Sequence, residues 1–330
     1  MVTPEGGLSL YMFSDDFSKD TRKDYSIILK RNSRVTEWGF IPLQDRAGIY
    51  HSAESRALIL EAGKDDTVSM TRKIQPLGDF LLDISMTPLT VYPPNGTSYL
   101  VMFAGEKRAI TAVIPGSSDA SASVIAGSEN PSVHKALTKK GYSGIPDIKR
   151  HRHQTDDRYT IPSPTPFRIR FIREQNVYSL YLEEEKCIEF NHISLHDITS
   201  VMIVSRNQEI MLNSLRITAL DGLYFSEIRK TDPEVTRALL EILIENGNIK
   251  DHSLKAAVRC SDRIAEFKNP SWPQKGDPYT EFPADITAQY TESNYLIYTL
   301  RLKMNSVYFL RHKTWVRPCV KAVLIRETME

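Results

Sequence analysis

Residues 167–190 read FRIRFIREQNVYSLYLEEEKCIEF, three short runs in which apolar and polar residues alternate, separated by two polar turns. Side chains alternate across a strand with period two. Phe167, Ile169 and Phe171 therefore share one face of the first run, Tyr178, Leu180 and Leu182 one face of the second, and Ile188 and Phe190 begin the third. The pattern predicts an antiparallel meander with one face toward a core and the other toward solvent.

Runs of the same kind fill the first half of the chain, at 8–13, 25–29, 35–43, 48–51, 57–61, 67–74, 80–86, 98–103 and 109–114. Turn formers such as Pro76, Gly78, Pro93, Pro94, Asn95, Gly96 and Gly105 punctuate them. Many short strands at near-regular spacing predict an all-β sandwich or barrel. From about 115 to 166 no periodic apolar face is visible, and this stretch reads as a long loop insertion, a contact arm for neighbouring subunits. Sheet-forming sequence resumes at 167–190 and continues at 198–205 and 210–218.

The pattern changes near Leu220. Asp232-Pro233-Glu234 has the form of a helix start, and Val235, Leu239, Ile242 and Leu243 fall on roughly one helical face before Asn246-Gly247-Asn248. The spacing predicts a helix over 234–245; a strand is the competing reading, because ALLEILI is also a short apolar run. Alternation returns in LKAAVRCS, YLIYTLRLKM and VKAVLI, so 221–330 is expected to be a second, smaller and mainly antiparallel domain after a first domain at 1–220.

Charge and cysteine content narrow the class. The 330 residues carry 42 basic and 41 acidic side chains, a net charge of +1, which gives no bulk electrostatic case for nucleic acid or an anionic membrane. Cys187, Cys260 and Cys319 lie far apart, which argues against a disulfide framework and for folding in a reducing compartment. The sequence shows no signal peptide and no run near the ~20 apolar residues of a membrane span. The expectation is a chain made in a cytoplasm.

The order of elements from 8 to 220 resembles the concanavalin A-like, or laminin-G-like, jelly-roll superfamily. The residues that carry it are Asp15-Asp16-Phe17, the strand Asp79-Phe80-Leu81-Leu82-Asp83-Ile84, the hairpins of 167–190, and Ser214-Leu215-Arg216-Ile217. Residues 221–330 resemble β-sandwich modules of phage tail and bacterial surface proteins, through Gly222-Leu223-Tyr224-Phe225-Ser226, Val258-Arg259-Cys260-Ser261, Trp272 and the strand at 295–302. These resemblances imply ligand display or structural assembly more than catalysis.

Tests of specific chemistry agree. A jelly-roll glycosidase needs two carboxylates about 5–10 Å apart; the best pair, Asp79 and Asp83, is four residues apart, and the E-x-D-x-x-E run of such enzymes is missing. Glu183, Glu184 and Glu185 read as a solvated hairpin turn. Asp15, Asp16, Asp119 and Asn191 could offer hard oxygen ligands to Ca2+. His151, His153, Asp156 and Asp157 come nearest a transition-metal set, but Lys149, Arg150, Arg152 and Arg158 surround them and the segment reads as a charged arm. For sugar stacking the candidates are Trp272, Tyr279, Tyr142 and Tyr159, with Trp38 assigned to the core.

The expected function is a non-enzymatic structural or binding component of a virion, a bacteriophage tail or capsid-associated protein with a carbohydrate-binding type of fold. Its expected partners are other virion subunits, further copies of itself and a cell-surface glycan. A jelly-roll glycoside hydrolase or lyase, or a soluble lectin, is the alternative.

Overall fold

The computed structural model describes residues 8–31, 34–38, 48–63, 66–91, 96–104, 108–115, 123–129, 152–154, 166–191, 197–245, 252–267, 278–304 and 319–329. The chain is all-β. Its strands are, in order, β1 (Leu8–Ser9), β2 (Met12–Asp15), β3 (Ser26–Arg31), β4 (Arg34–Trp38), β5 (Ile49–Ser52), β6 (Ala57–Glu61), β7 (Thr67–Leu77) and β8 (Phe80–Val91). Next come β9 (Thr97–Ala104), β10 (Arg108–Pro115), β11 (Ser123–Glu129), β12 (Arg152–Gln154), β13 (Phe167–Glu174), β14 (Val177–Leu182), β15 (Glu185–Asn191), β16 (Ile198–Arg206) and β17 (Gln208–Ala219). The remainder are β18 (Asp221–Phe225), β19 (Arg229–Lys230), β20 (Val235–Glu245), β21 (His252–Ser261), β22 (Ala284–Asp285), β23 (Tyr295–Met304) and β24 (Cys319–Met329), with a short helix α1 (Thr287–Thr291) before β23. Among the described residues no helix is long and apolar enough to cross a membrane.

Two compact units share these strands: Met12–Thr218 forms one, and Met1–Tyr11 groups with Ala219–Glu330 in the other. The run at 8–13 is accordingly two strands. β1 pairs with β24, the last strand of the C-terminal unit, while β2 pairs with β17 of the jelly roll.

The jelly roll is two antiparallel sheets. Sheet 1 has the order β12-β11-β10-β9-β16-β7-β3-β4; sheet 2 has the order β15-β14-β13-β8-β17-β6-β5, with β2 also on β17. The chain passes repeatedly from one sheet to the other, at β7 to β8, β8 to β9, β15 to β16 and β16 to β17. The predicted meander is present as β13-β14-β15, joined by two-residue turns at Gln175-Asn176 and Glu183-Glu184. Gln175 and Glu183 have φ of 57° and 56°, the left-handed conformation such hairpins require. Two strands fall inside the stretch expected to be a loop: β11 continues sheet 1 from β10, and β12 pairs with β11.

The core of sheet 2 is aromatic. Directly opposed residues in an antiparallel pair lie on the same face. Phe171 is paired with Leu82 on β8 and Leu180 on β14, and Tyr178 with Phe190 on β15. Phe171 stacks on Phe80 at 6.3 Å between ring centroids, and Tyr178 on Phe190 at 5.2 Å. These side chains and Leu82, Ile84, Ile169 and Leu180 are buried. From sheet 1, Arg72 extends its guanidinium over the ring of Phe13 on β2, 4.8 Å from the centroid, so the faces bearing Arg72 and Phe13 are the inner ones.

In the C-terminal unit one sheet is β1-β24-β20-β22 and the other joins β18, β19 and β21 to β23. Gly222 leaves room for β1's neighbour: a Cβ there would stand 2.5 Å from Cδ2 of Leu10. Residues 235–245 are a strand and not the expected helix. A β-bulge between Val235 and Arg237 inserts Thr236, so the buried positions fall at Val235, Ala238 and Leu240. The first step of three residues imitates a helical repeat, although the chain is extended. The helix-start signal is an Asx turn, in which Glu234 N–H donates to Asp232 Oδ1 at 3.0 Å. Asp-Pro turn chemistry serves either kind of element.

Replacing Phe171 by Ala removes the ring that bridges Phe80 and Tyr178 and leaves a cavity in a fully buried site. The expected loss is about 3–5 kcal/mol in urea unfolding followed by near-UV circular dichroism.

Candidate functional site

The outer faces of the two sheets differ in chemistry. On sheet 1, Tyr99, Val101, Phe103, Ala109, Met202 and Val204 form a buried apolar cluster, on the face opposite to that of Leu100, Met102 and Ile203. Its central strands are therefore apolar on both sides. The outer face of sheet 2 is polar, and its polar groups are shielded.

Register places that polar row. On β13, Arg168, Arg170 and Ile172 alternate with the core residues; Arg168 lies opposite Ser85, Arg170 opposite Asp83 on one side and Tyr181 on the other, and Ile172 opposite Leu81 and Ser179. The face continues to Lys186 and Glu189 on β15. Thr87 on β8 donates its hydroxyl to Asn213 Oδ1 on β17 at 3.1 Å, and Tyr50 on β5 donates to Glu209 Oε1 at 3.1 Å. The outer face of sheet 2 is thus largely covered along β8, β13 and β14: Arg170 is 3% exposed, Asp83 3%, Ile172 4%, Thr87 2% and Ser179 8%.

Asp83 is held by Arg168. Arg168 Nε donates to Asp83 Oδ1 at 2.7 Å and Nη2 to Oδ2, a two-point pair between a nearly buried carboxylate and a partly exposed guanidinium. The hydrogen bonds to Asp83 raise the proton affinity of Arg168 above its ordinary value. Arg170 moves the other way, because burial disfavours its charge and Arg168 repels it. Its Nε and Nη1 are buried without a hydrogen-bond partner. Tyr181, half-buried beside it, has its phenol pushed up by desolvation. At the far end, Lys186 Nζ donates to Glu189 Oε2 at 2.8 Å.

The residues singled out by sequence fall elsewhere. Asp79 Oδ1 accepts the Gln175 N–H at 2.7 Å and so caps the β13–β14 turn, while Asp83 pairs with Arg168. Neither carboxylate serves the other. Glu183 sits in the hairpin turn, as expected, and its Oε1 accepts the Arg168 backbone N–H at 2.8 Å. Asp15 Oδ1 and Oδ2 accept from Phe17 N–H and Tyr25 O–H, both at 2.9 Å, and Asp16 Oδ1 from Ser18 N–H at 3.0 Å. These bonds shape the turn after β2, and the bond from Ser18 lowers the Asp16 pKa.

Asn191 ends β15 exposed, and Asp119 lies outside the described residues. Among the described residues no group of three or more His, Cys, Asp or Glu side chains could hold a metal ion. His153 is in β12, whereas His151, Asp156 and Asp157 lie outside the described residues.

Of the proposed sugar-stacking aromatics, Trp272, Tyr142 and Tyr159 lie outside the described residues. Tyr279 belongs to the C-terminal unit, where its backbone bridges Ala256 and its hydroxyl accepts from Gln289 Nε2 at 3.0 Å. Sequence reasoning missed Arg168, Arg170 and Tyr181. One signal was present: Ile172 interrupts the polar positions of β13, which a fully solvated face would not favour.

No protein-family model matches the chain. No curated protein matches it. Among solved structures, a protein of unknown function with a galectin-like fold from Bacillus subtilis matches at 8% identity over 64% of this chain and 97% of that one, with a TM-score of 0.43. A glycosyl hydrolase family protein from Mycobacterium fortuitum matches at 8% identity over 64% of this chain and 100% of that one, TM-score 0.42. The β-glucanase of Bacillus licheniformis matches at 10% identity over 63% and 97%, TM-score 0.41. Likenesses at this level carry no function over to this chain.

Arg168→Ala strips the partner from a carboxylate that is 4% exposed. The expected loss is about 2–3 kcal/mol, below the 3–5 kcal/mol of a fully buried pair because Arg168 keeps some solvent contact. The double variant Arg168→Ala/Asp83→Asn recovers most of it in urea unfolding, whereas a non-electrostatic role for Arg168 predicts no recovery.

Proposed function

We propose that the chain is a carbohydrate-binding protein without catalytic activity of its own, receiving a glycan over the outer face of sheet 2. The observation that carries this reading is the shielded polar row itself: Asp83, Arg170, Thr87 and Ser179 are all buried on a sheet face that also bears Leu81, Ile172 and the half-buried ring of Tyr181. Sugars ask for this mixture, because hydroxyls are read by fixed polar groups while the C–H face of the ring packs on aromatic and apolar surface.

The state of Asp83 supports binding over hydrolysis. Both of its oxygens accept from Arg168. A glycosidase requires a carboxylate free to give or take a proton, and a second one about 5–10 Å away. The virion or phage-tail role expected from the sequence supplies an assembly context for such binding.

A polysaccharide array probed with the full chain is expected to give at least one ligand, with affinity reduced about tenfold or more in Tyr181→Ala. Chain cleavage by the wild-type protein that disappears in Asp83→Asn would establish the hydrolase or lyase alternative. Light scattering of the purified chain separates the assembly role: rings or particles are expected, and a strict monomer at all concentrations removes it.

A further inference from the structure

We propose that the outer face of sheet 2 selects an anionic glycan, bearing carboxylate or sulfate groups, and that Arg170 is the residue that receives the anion. The proposal rests on the glycan reading above and adds the charge of the ligand.

Three observations lead to it. First, Arg170 sits inside the sheet and not at an edge, on β13 between β8 and β14, and is 3% exposed. Second, its Nε and Nη1 are buried with no hydrogen-bond partner. Third, the carboxylate that faces it in register is already occupied: Asp83 lies opposite Arg170, yet both its oxygens accept from Arg168. Arg168 is two positions along the same face, about 6.5–7 Å away by strand geometry. The Arg168–Asp83 pair is neutral overall, so within the buried row Arg170 has no carboxylate of its own.

A guanidinium does not escape this by losing its proton, since it stays charged in proteins. Burying an unpaired charge is costly, and the cost is relieved by an acceptor that brings opposite charge and more than one oxygen. Carboxylate and sulfate both do so; a neutral hydroxyl supplies the hydrogen bond without the charge. The other carboxylates nearby are Glu183 and Glu184, both exposed in the β14–β15 hairpin. Solvent screens them, and neither hydrogen-bonds Arg170. Tyr181, opposite Arg170, gives the sugar ring a surface beside the anion.

Isothermal titration of the full chain tests the proposal with polygalacturonate, its fully methyl-esterified neutral form, dextran sulfate, dextran and inorganic sulfate. The expected result is that an acidic polymer binds about 10- to 100-fold more tightly than its neutral counterpart. Arg170→Gln should erase that difference. Equal affinity for charged and neutral polymers, or an Arg170→Gln variant that still prefers the acidic one, overturns the proposal while the glycan reading stands. Arg170-dependent binding of inorganic sulfate with no polymer bound overturns both, as does no binding to any probe.

Arg170→Met provides the folding control. With an unpaired charge replaced by an apolar chain of similar length, it is expected to melt at or above the wild-type temperature and to lose the acidic preference. A large fall in its melting temperature would mark Arg170 as a structural residue and overturn the proposal.

Discussion

The antiparallel register of β8 on β13 governs both faces of sheet 2. It sets Phe171 beside Leu82 on the inner side and, one residue away, Arg170 beside Asp83 on the outer. A slip of one residue would exchange the two faces completely. Such a slip would expose the Phe80–Phe171 and Tyr178–Phe190 stacks and bury the charged row in their place. The aromatic core therefore fixes the polar groups from behind. A binding constellation carried on paired strands is held more precisely than one carried on loops.

Within that frame Arg168 and Arg170 behave as opposites although they are two residues apart on the same strand face. One is satisfied by a carboxylate, and the other is shielded without a partner. A core selected for stability alone would replace the second with an apolar side chain, because buried charge without a partner works against folding. Local violations of packing rules concentrate where a protein does something other than fold. The buried apolar cluster on the outer face of sheet 1 supplies the contrast: Val101, Met202 and Val204 break no such rule.

Much of this fold could be read from alternation. The meander, β6 and the strands of the C-terminal half stand out in sequence because one face of each is apolar. The site could not be read in the same way, because its meaning lies in pairing across the chain. Arg168 and Asp83 are 85 residues apart, and nothing local in FRIRFIRE announces which aspartate will stand opposite. Polar positions on β13 looked like solvent positions for that reason. The strand at 235–245 was obscured differently: one bulged residue, Thr236, changed the local spacing of apolar positions and gave an extended segment the signature of a helix. The short strands β11 and β12 were hidden because small and charged residues can complete a sheet edge without presenting a periodic apolar face.

The pairing of β2 with β17 brings the first and last residues of the jelly roll side by side, with Met12 opposite Thr218. On either side of that seam, Tyr11 and Ala219 belong to the other unit, where Ala219 N–H donates to the Tyr11 carbonyl at 2.9 Å. The jelly roll is therefore a guest, inserted whole into the chain of the smaller sandwich. Its host cannot finish before it does. As the chain leaves the ribosome, β1 must wait while the entire guest is made, because its partner β24 is the last of the described strands to arrive. The guest has every strand it needs once residue 218 has emerged, so the binding face can exist before the unit that carries it.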